Sequence, residues 1–168
     1  MDWNLKITDM AGAYIEHSTV ITNFVATVYP QLKDSVCRVY GDNVQYKWTV
    51  DNEEKKLIPD ATINCRIHQR KGNSFFDTPR FVMEVLSPST EKYDRTEKME
   101  YRQQEVEEYW IVDWRTKTVE IYELDYENDV PKYYLWKTIT EANKDELRIV
   151  HFPNIKITFD ELFDGIDY

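Results

Sequence analysis

Glycine and proline are scarce in this chain, four and six among 168 residues. Chains that never fold are rich in both and poor in apolar side chains. With 42% hydrophobic residues, a disordered or collagen-like polymer is excluded. Long apolar runs are missing too. None approaches the roughly 18 residues that a helix needs to cross a bilayer, so no membrane partner is expected. The first twenty residues carry Asp2 and Asp9 and lack a basic-then-apolar layout, so they do not read as a secretory leader. Cysteine is limited to Cys37 and Cys65. These two have neither metal-ligand spacing nor the density of a disulfide scaffold. They are expected to be reduced, buried thiols in a cytoplasmic protein.

Cations are outnumbered, with 21 Lys and Arg against 31 Asp and Glu and a net charge of −10. Binding to phosphates is driven mainly by Lys and Arg, so the balance is awkward for a nucleic-acid partner. The charge is uneven, however. Acids gather at 105–108, 123–129 and 159–168, and read as solvated faces. Bases gather at Arg66, Arg70 and Lys71, and again at Lys92, Arg95 and Lys98. The first group, with Phe75 and Phe76 close by, is the expected contact to a polyanion.

The length fits one domain over residues 1–168, since domains most often run to about 100–150 residues. Val20, Ile21, Phe24, Val25 and Val28 recur at helical spacing and predict a helix over 11–29, closed by Pro30. SVCRVY (35–40) and VQYKWTV (44–50), joined by Gly41-Asp42-Asn43, read as a hairpin. A polar break, DNEEKK, separates them from a third β-like run at 57–65. After a loop (66–79) comes the strongest strand signal, RFVMEVLS (80–87). A helix over 87–104 follows, with Ser89 or Asp94 as its cap. Strands at 107–114, 117–124 and 130–139 and a short helix at 159–163 complete the order. The expected class is mixed α/β, a central sheet flanked by helices.

Side chains alternate across a strand, so Val82, Glu84 and Leu86 share one face, and Phe81, Met83 and Val85 the other. A charged carboxylate inside such a strand costs several kcal/mol unless it meets a metal, a cation or a proton. Asp60, in a β-like run behind Pro59, has the same difficulty. Two readings are open. Together the acids can hold a hard cation such as Mg²⁺, which takes one or two carboxylates and keeps several waters. Alternatively Asp60 is a turn residue and Glu84 pairs with a core Lys or Arg.

The segments PDATINC and RFVMEVLSPSTEKYDRTEKMEYRQQEVEEYWIVDWRTKTVEIY, with the closing FPNIKITFDELF, carry a resemblance. EVLSPST, DRTEK and EYWIVD in that order and spacing resemble the Uma-two family of restriction endonucleases, within the PD-(D/E)XK nuclease superfamily. The resemblance covers roughly residues 14–163. It implies a restriction-endonuclease-like fold and a metal-dependent DNA endonuclease using Mg²⁺ or Mn²⁺. Asp60 and Glu84 would bind the metal, with the Val85 carbonyl a third ligand. The superfamily's lysine, two residues after the second acid, is here Leu86. The resembled family supplies it from the following helix, where Lys98 stands. Lys98 would position the attacking water; otherwise it is a surface partner of Asp94 at i, i+4. His17 continues the apolar stripe of the first helix and reads as a hydrogen-bonded core residue. The resemblance adds an active-site role for it. A nuclease-fold module that binds nucleic acid without cutting it is the alternative, favoured by Leu86 and the acidic charge. An RNA- or nucleotide-directed hydrolase is a third reading. A homodimer is expected, through the aromatics at Tyr109–Trp110 and Tyr133–Trp136.

Overall fold

The computed structural model describes residues 14–88 and 91–167; the side chains of Val50, Tyr93, Asp94, Glu97, Lys98 and Met99 lie outside that description. Helix α1 (Ile15–Val28) runs into a 3-10 turn, Tyr29–Leu32, in which Pro30 occupies the first turn. Proline fits there because its missing N–H has no helical partner to lose. Ten strands follow: β1 (Arg38–Tyr40), β2 (Gln45–Val50), β3 (Glu53–Leu57), β4 (Ala61–Asn64), β5 (Arg70–Lys71), β6 (Ser74–Phe75), β7 (Phe81–Val85), β8 (Glu108–Asp113), β9 (Thr118–Glu127) and β10 (Val130–Ile139). Helix α2 (Glu91–Gln103) connects β7 to β8, and the short α3 (Phe159–Leu162) closes the described chain.

The central sheet has the order β1-β4-β7-β8-β9-β10. Only β7 and β8 pair in parallel, as a strand–helix–strand crossover through α2 requires; the other neighbours are antiparallel. A second sheet of four short strands has the order β3-β2-β6-β5. The mixed α/β class with a central mixed sheet is as the sequence predicts.

Alternation in β7 divides the interior in two. Phe81, Met83 and Val85 join α1, α3 and the segment 147–157 in one core, where Phe24 stacks on Phe81 at 5.2 Å. Val82 and Leu86 join Leu57, Tyr101, Tyr109 and Tyr133 in the other, with Trp48 of the small sheet packed against it. Helix α2 and the small sheet therefore cover one face, and α1 covers the other.

Three expectations are corrected. The run at 35–40 and the run at 44–50 do not form a hairpin. β1 pairs with β4, and β2 pairs with β3 and β6, so Gly41–Asn43 carries the chain from one sheet to the other. The true hairpin is β2–β3, turning at Asp51 and Asn52, both at positive φ, within the segment that reads as a polar break. Two positive-φ residues in a two-residue loop match the twist of the strands, and Asp and Asn tolerate them. The cysteines are not free. β1 lies against β4 with Arg38 opposite Asn64, so the next rung sets Cys37 opposite Cys65, and the two are bonded as a disulfide. Finally, of the aromatics expected at a dimer contact, Tyr109 and Trp110 are interior, because β8 is central and both its faces are covered; on the edge strand β10 Tyr133 is buried but Tyr134 is exposed.

Candidate functional site

β4 and β7 are antiparallel, with Ala61 opposite Met83. The start of β4 and the end of β7 therefore meet at one edge of the sheet. Asp60 precedes β4, and its Oδ2 accepts the backbone N–H of Val85 at 2.7 Å. The strand that carries Glu84 thus fixes Asp60 directly. From the other side, His17 in the first turn of α1 brings Nε2 to the same oxygen at 3.2 Å. Its ring is about one-quarter exposed, so the stripe of α1 ends half in water. Asp60 Oδ1 accepts no hydrogen bond from a described residue.

Glu84 is 3% exposed and lies on the face of Val82 and Leu86, as strand alternation predicts. Its Oε1 accepts the hydroxyl of Tyr101 at 2.5 Å. Tyr101 comes from α2 and is fully buried. Sequence reasoning missed this residue, although a tyrosine three positions after Lys98 lies one turn further along the same helix. Leu86 is fully buried, and its N–H bonds to the carbonyl of Val112 on β8.

Lys98 lies in the C-terminal half of α2; its side chain, and that of Asp94, are outside the described residues. Around them α2 is tied to the sheet by ion pairs. Arg95 reaches Glu120 at 3.2 Å, and Arg115 reaches Glu91 at 3.2 Å and Asp113 at 2.9 Å. Burial would lower the guanidinium pKa of Arg95, but Glu120 and Glu91 outweigh it and raise it. Asp113 ends β8 as an anchor for Arg115, not as a free acid.

The three bases of the expected polyanion contact lie on the turn after β4 and on β5. Arg66 donates to Asp77 at 2.8 Å and lines a cleft of about 340 Å³ with Arg80, Glu107 and His151, at the start of β7 and so away from Glu84. Arg70 and Lys71 form β5, where Arg70 Nη2 donates to the Gly72 carbonyl. Phe75 is buried, whereas Phe76 is exposed.

Among the described residues no set of three or more His, Cys, Asp or Glu converges to hold a metal ion. A magnesium site does not need one, because one or two carboxylates with a backbone carbonyl and waters suffice. The free Oδ1 of Asp60 beside Val85 fits that donor set.

The whole chain, not the site alone, settles the relationship. The profile of the Uma2 family, described as "Putative restriction endonuclease", matches residues 5–159. The chain belongs to the Uma2 family. An uncharacterized protein of Synechocystis sp. is 24% identical over 165 residues, which is 97% of this chain and 82% of that one. A crystal structure of a "putative nuclease belonging to DUF820" from Anabaena variabilis superposes with a TM-score of 0.68. It has 16% identity and covers 89% of this chain and 81% of that one. That likeness shows the fold. Uma2 membership supports a nuclease-like function, and the sequence resemblance pointed to the same family.

Proposed function

We propose that this Uma2 protein is a metal-dependent endonuclease that hydrolyses phosphodiester bonds in DNA. The observation that supports it best is the Asp60–Val85 hydrogen bond, which ties one acid to the strand of the other. Asp60 and Glu84, with the Val85 carbonyl, would hold Mg²⁺ or Mn²⁺. When bound, such an ion neutralises charge on a phosphate oxygen and acidifies a water. His17 keeps Asp60 oriented, in the way a hydrogen-bonded neighbour orients a ligand. Tyr101 donates to Glu84 and fixes its rotamer. Position 98 lies about one helical turn before Tyr101 on α2. Lys98 would orient the attacking water and stabilise charge developing at phosphorus.

The test is cleavage of plasmid DNA with Mn²⁺ by the wild type and by Asp60→Asn/Glu84→Gln. Cutting by the wild type that disappears in the double variant is expected. Equal cutting by both would place the chemistry elsewhere. The buried Leu86, standing where the superfamily has its lysine, favours a second reading, a module that binds DNA without cutting it. Binding without cleavage by the wild type in either metal would establish that reading.

A further inference from the structure

The small sheet has two unlike faces. Its registers pair Tyr46 with Leu57 and Phe75, and these three are buried against the body of the protein. The other alternation gathers lysines. Lys47 stands directly opposite Lys56, and Lys71 opposite Ser74, which in turn is in register with Gln45. Alternation therefore sets Gln45, Lys47, Lys56, Lys71 and the buried Ser74 on one face, where Lys56 and Lys71 are exposed and Lys47 is half-buried.

Like charges directly opposed across an antiparallel pair destabilise it. Lys47 and Lys71 have no carboxylate within ion-pair distance among the described residues, and Lys56 has only Glu54, at 3.6 Å. In a chain of net charge −10, a face with three lysines and one glutamate (Glu54, beside Thr49) is the exception. The opposed lysines do not stabilise the strand pairing, and a polyanion laid across them would relieve their repulsion.

The face is also tied to the candidate site. Lys56 precedes Asp60 by four residues, which span at most about 14 Å even when extended. Tyr46 shares a 2.7 Å hydrogen bond with Thr62, two residues beyond Asp60 on β4. The base of the β2–β3 hairpin is thereby fixed beside Asp60. Strands lie about 4.8 Å apart, so the lysines from β3 to β5 span about 14 Å, or some four nucleotide steps at about 3.4 Å each.

We infer that the face of Lys47, Lys56 and Lys71 binds the phosphate backbone of nucleic acid flanking the candidate site, without reading its sequence. The inference rests on the nuclease reading only for the class of substrate. The probe is a fluorescent duplex DNA of about 20 base pairs, titrated by anisotropy in Ca²⁺ at several salt concentrations. Each phosphate contact contributes about 0.9 to the slope of log K against log salt. Lys47→Gln/Lys56→Gln/Lys71→Gln should lower that slope by about 2 to 3 for any sequence, and should melt no lower than wild type because the opposed charges are gone. A control, Lys137→Gln/Lys144→Gln/Arg148→Gln, makes the same charge change elsewhere and should leave the slope unaltered. An unchanged slope in the first variant, or an equal fall in the control, overturns the inference and leaves the nuclease reading untouched. A wild type that binds no DNA, duplex or single-stranded, overturns both. Binding with the expected slope but no cleavage in Mn²⁺ supports the face and removes only the nuclease reading.

Discussion

Val85 donates its backbone N–H to Asp60 Oδ2, and His17 Nε2 reaches the same oxygen. One carboxylate oxygen is thus held from the sheet and from α1, and the other accepts no hydrogen bond from a described residue. Substituting His17 with Ala should leave the fold intact, because the ring is partly exposed. Losing an orienting neighbour of a metal ligand typically costs 10- to 100-fold in affinity. Mn²⁺ bound to the folded state should raise the melting temperature; in His17→Ala the concentration that half-saturates this rise should go up by about that factor, with partial recovery in His17→Asn.

Lys98 is where the cutting and non-cutting readings part. Lys98→Ala should slow DNA cleavage by about 10²-fold or more, the scale for one preorganised electrostatic group. Its melting temperature and Mn²⁺ response should match the wild type, since alanine suits a helix. Equal cleavage rates would remove Lys98 from the reaction.

Glu108 offers a pH test away from the site. It is fully buried, accepting from Trp110 Nε1 at 2.7 Å and from the N–H groups of Val150 and His151. Burial raises its carboxyl pKa, and those hydrogen bonds only partly oppose the rise. Between the ordinary value near 4.5 and the raised one, the folded state binds more protons than the unfolded. This contribution to stability is full below the window and declines as pH rises through it. Glu108→Gln cannot satisfy three N–H donors and should cost about 1–3 kcal/mol. Its deficit should be largest at low pH and shrink across the window, as read by urea unfolding at pH 4 through 7. A deficit that grows with pH would contradict the raised pKa.

The Cys37–Cys65 bond should show in alkylation. Denatured, unreduced protein should take up no iodoacetamide, and reduced protein two equivalents. Cross-linking a loop with a sequence separation of 28 residues stabilises by about 3.6 kcal/mol in the chain-entropy account. Reduction should therefore lower the melting temperature by roughly 7–14 °C for a domain of this size. Two free thiols in freshly purified protein would show that the pair does not oxidise.

A homodimer, if formed, must use surface other than Tyr109 and Trp110. The edge strand β10 exposes Val130, Tyr134 and Leu135, and unpaired edges are templates for pairing. We expect light scattering near 40 kDa for the 20.2 kDa chain, falling to the monomer mass in Leu135→Glu. A wild type that scatters as a monomer at high concentration would rule out the dimer.

What could be read from the sequence follows from how local each signal is. Alternation in 81–86 assigned Glu84 to its face correctly because strand parity depends on nothing distant. The strands at 117–124 and 130–139 were legible for the same reason. The β1–β4 pairing was not, since no local cue links residue 38 to residue 64, and with it went the disulfide. EEKK reads as a loop, yet β3 is an edge strand with one side in water and can be charged throughout. At the site, Asp60 and Glu84 stood out as acids in apolar surroundings. Tyr101 did not, because a tyrosine on a helix is usually packing and only the fold shows where its hydroxyl ends.

Glu84 is gripped from the face of α2, and Asp60 is bridged to α1 on the opposite face. The amide of Val85 sits between these layers. Its proton can exchange with solvent only when the Asp60 contact opens, so the deuterium uptake of this single amide should track the integrity of the whole acidic pair. Should either layer loosen on heating, the pair comes apart with it, and exposure of this amide should precede or accompany melting rather than lag behind it.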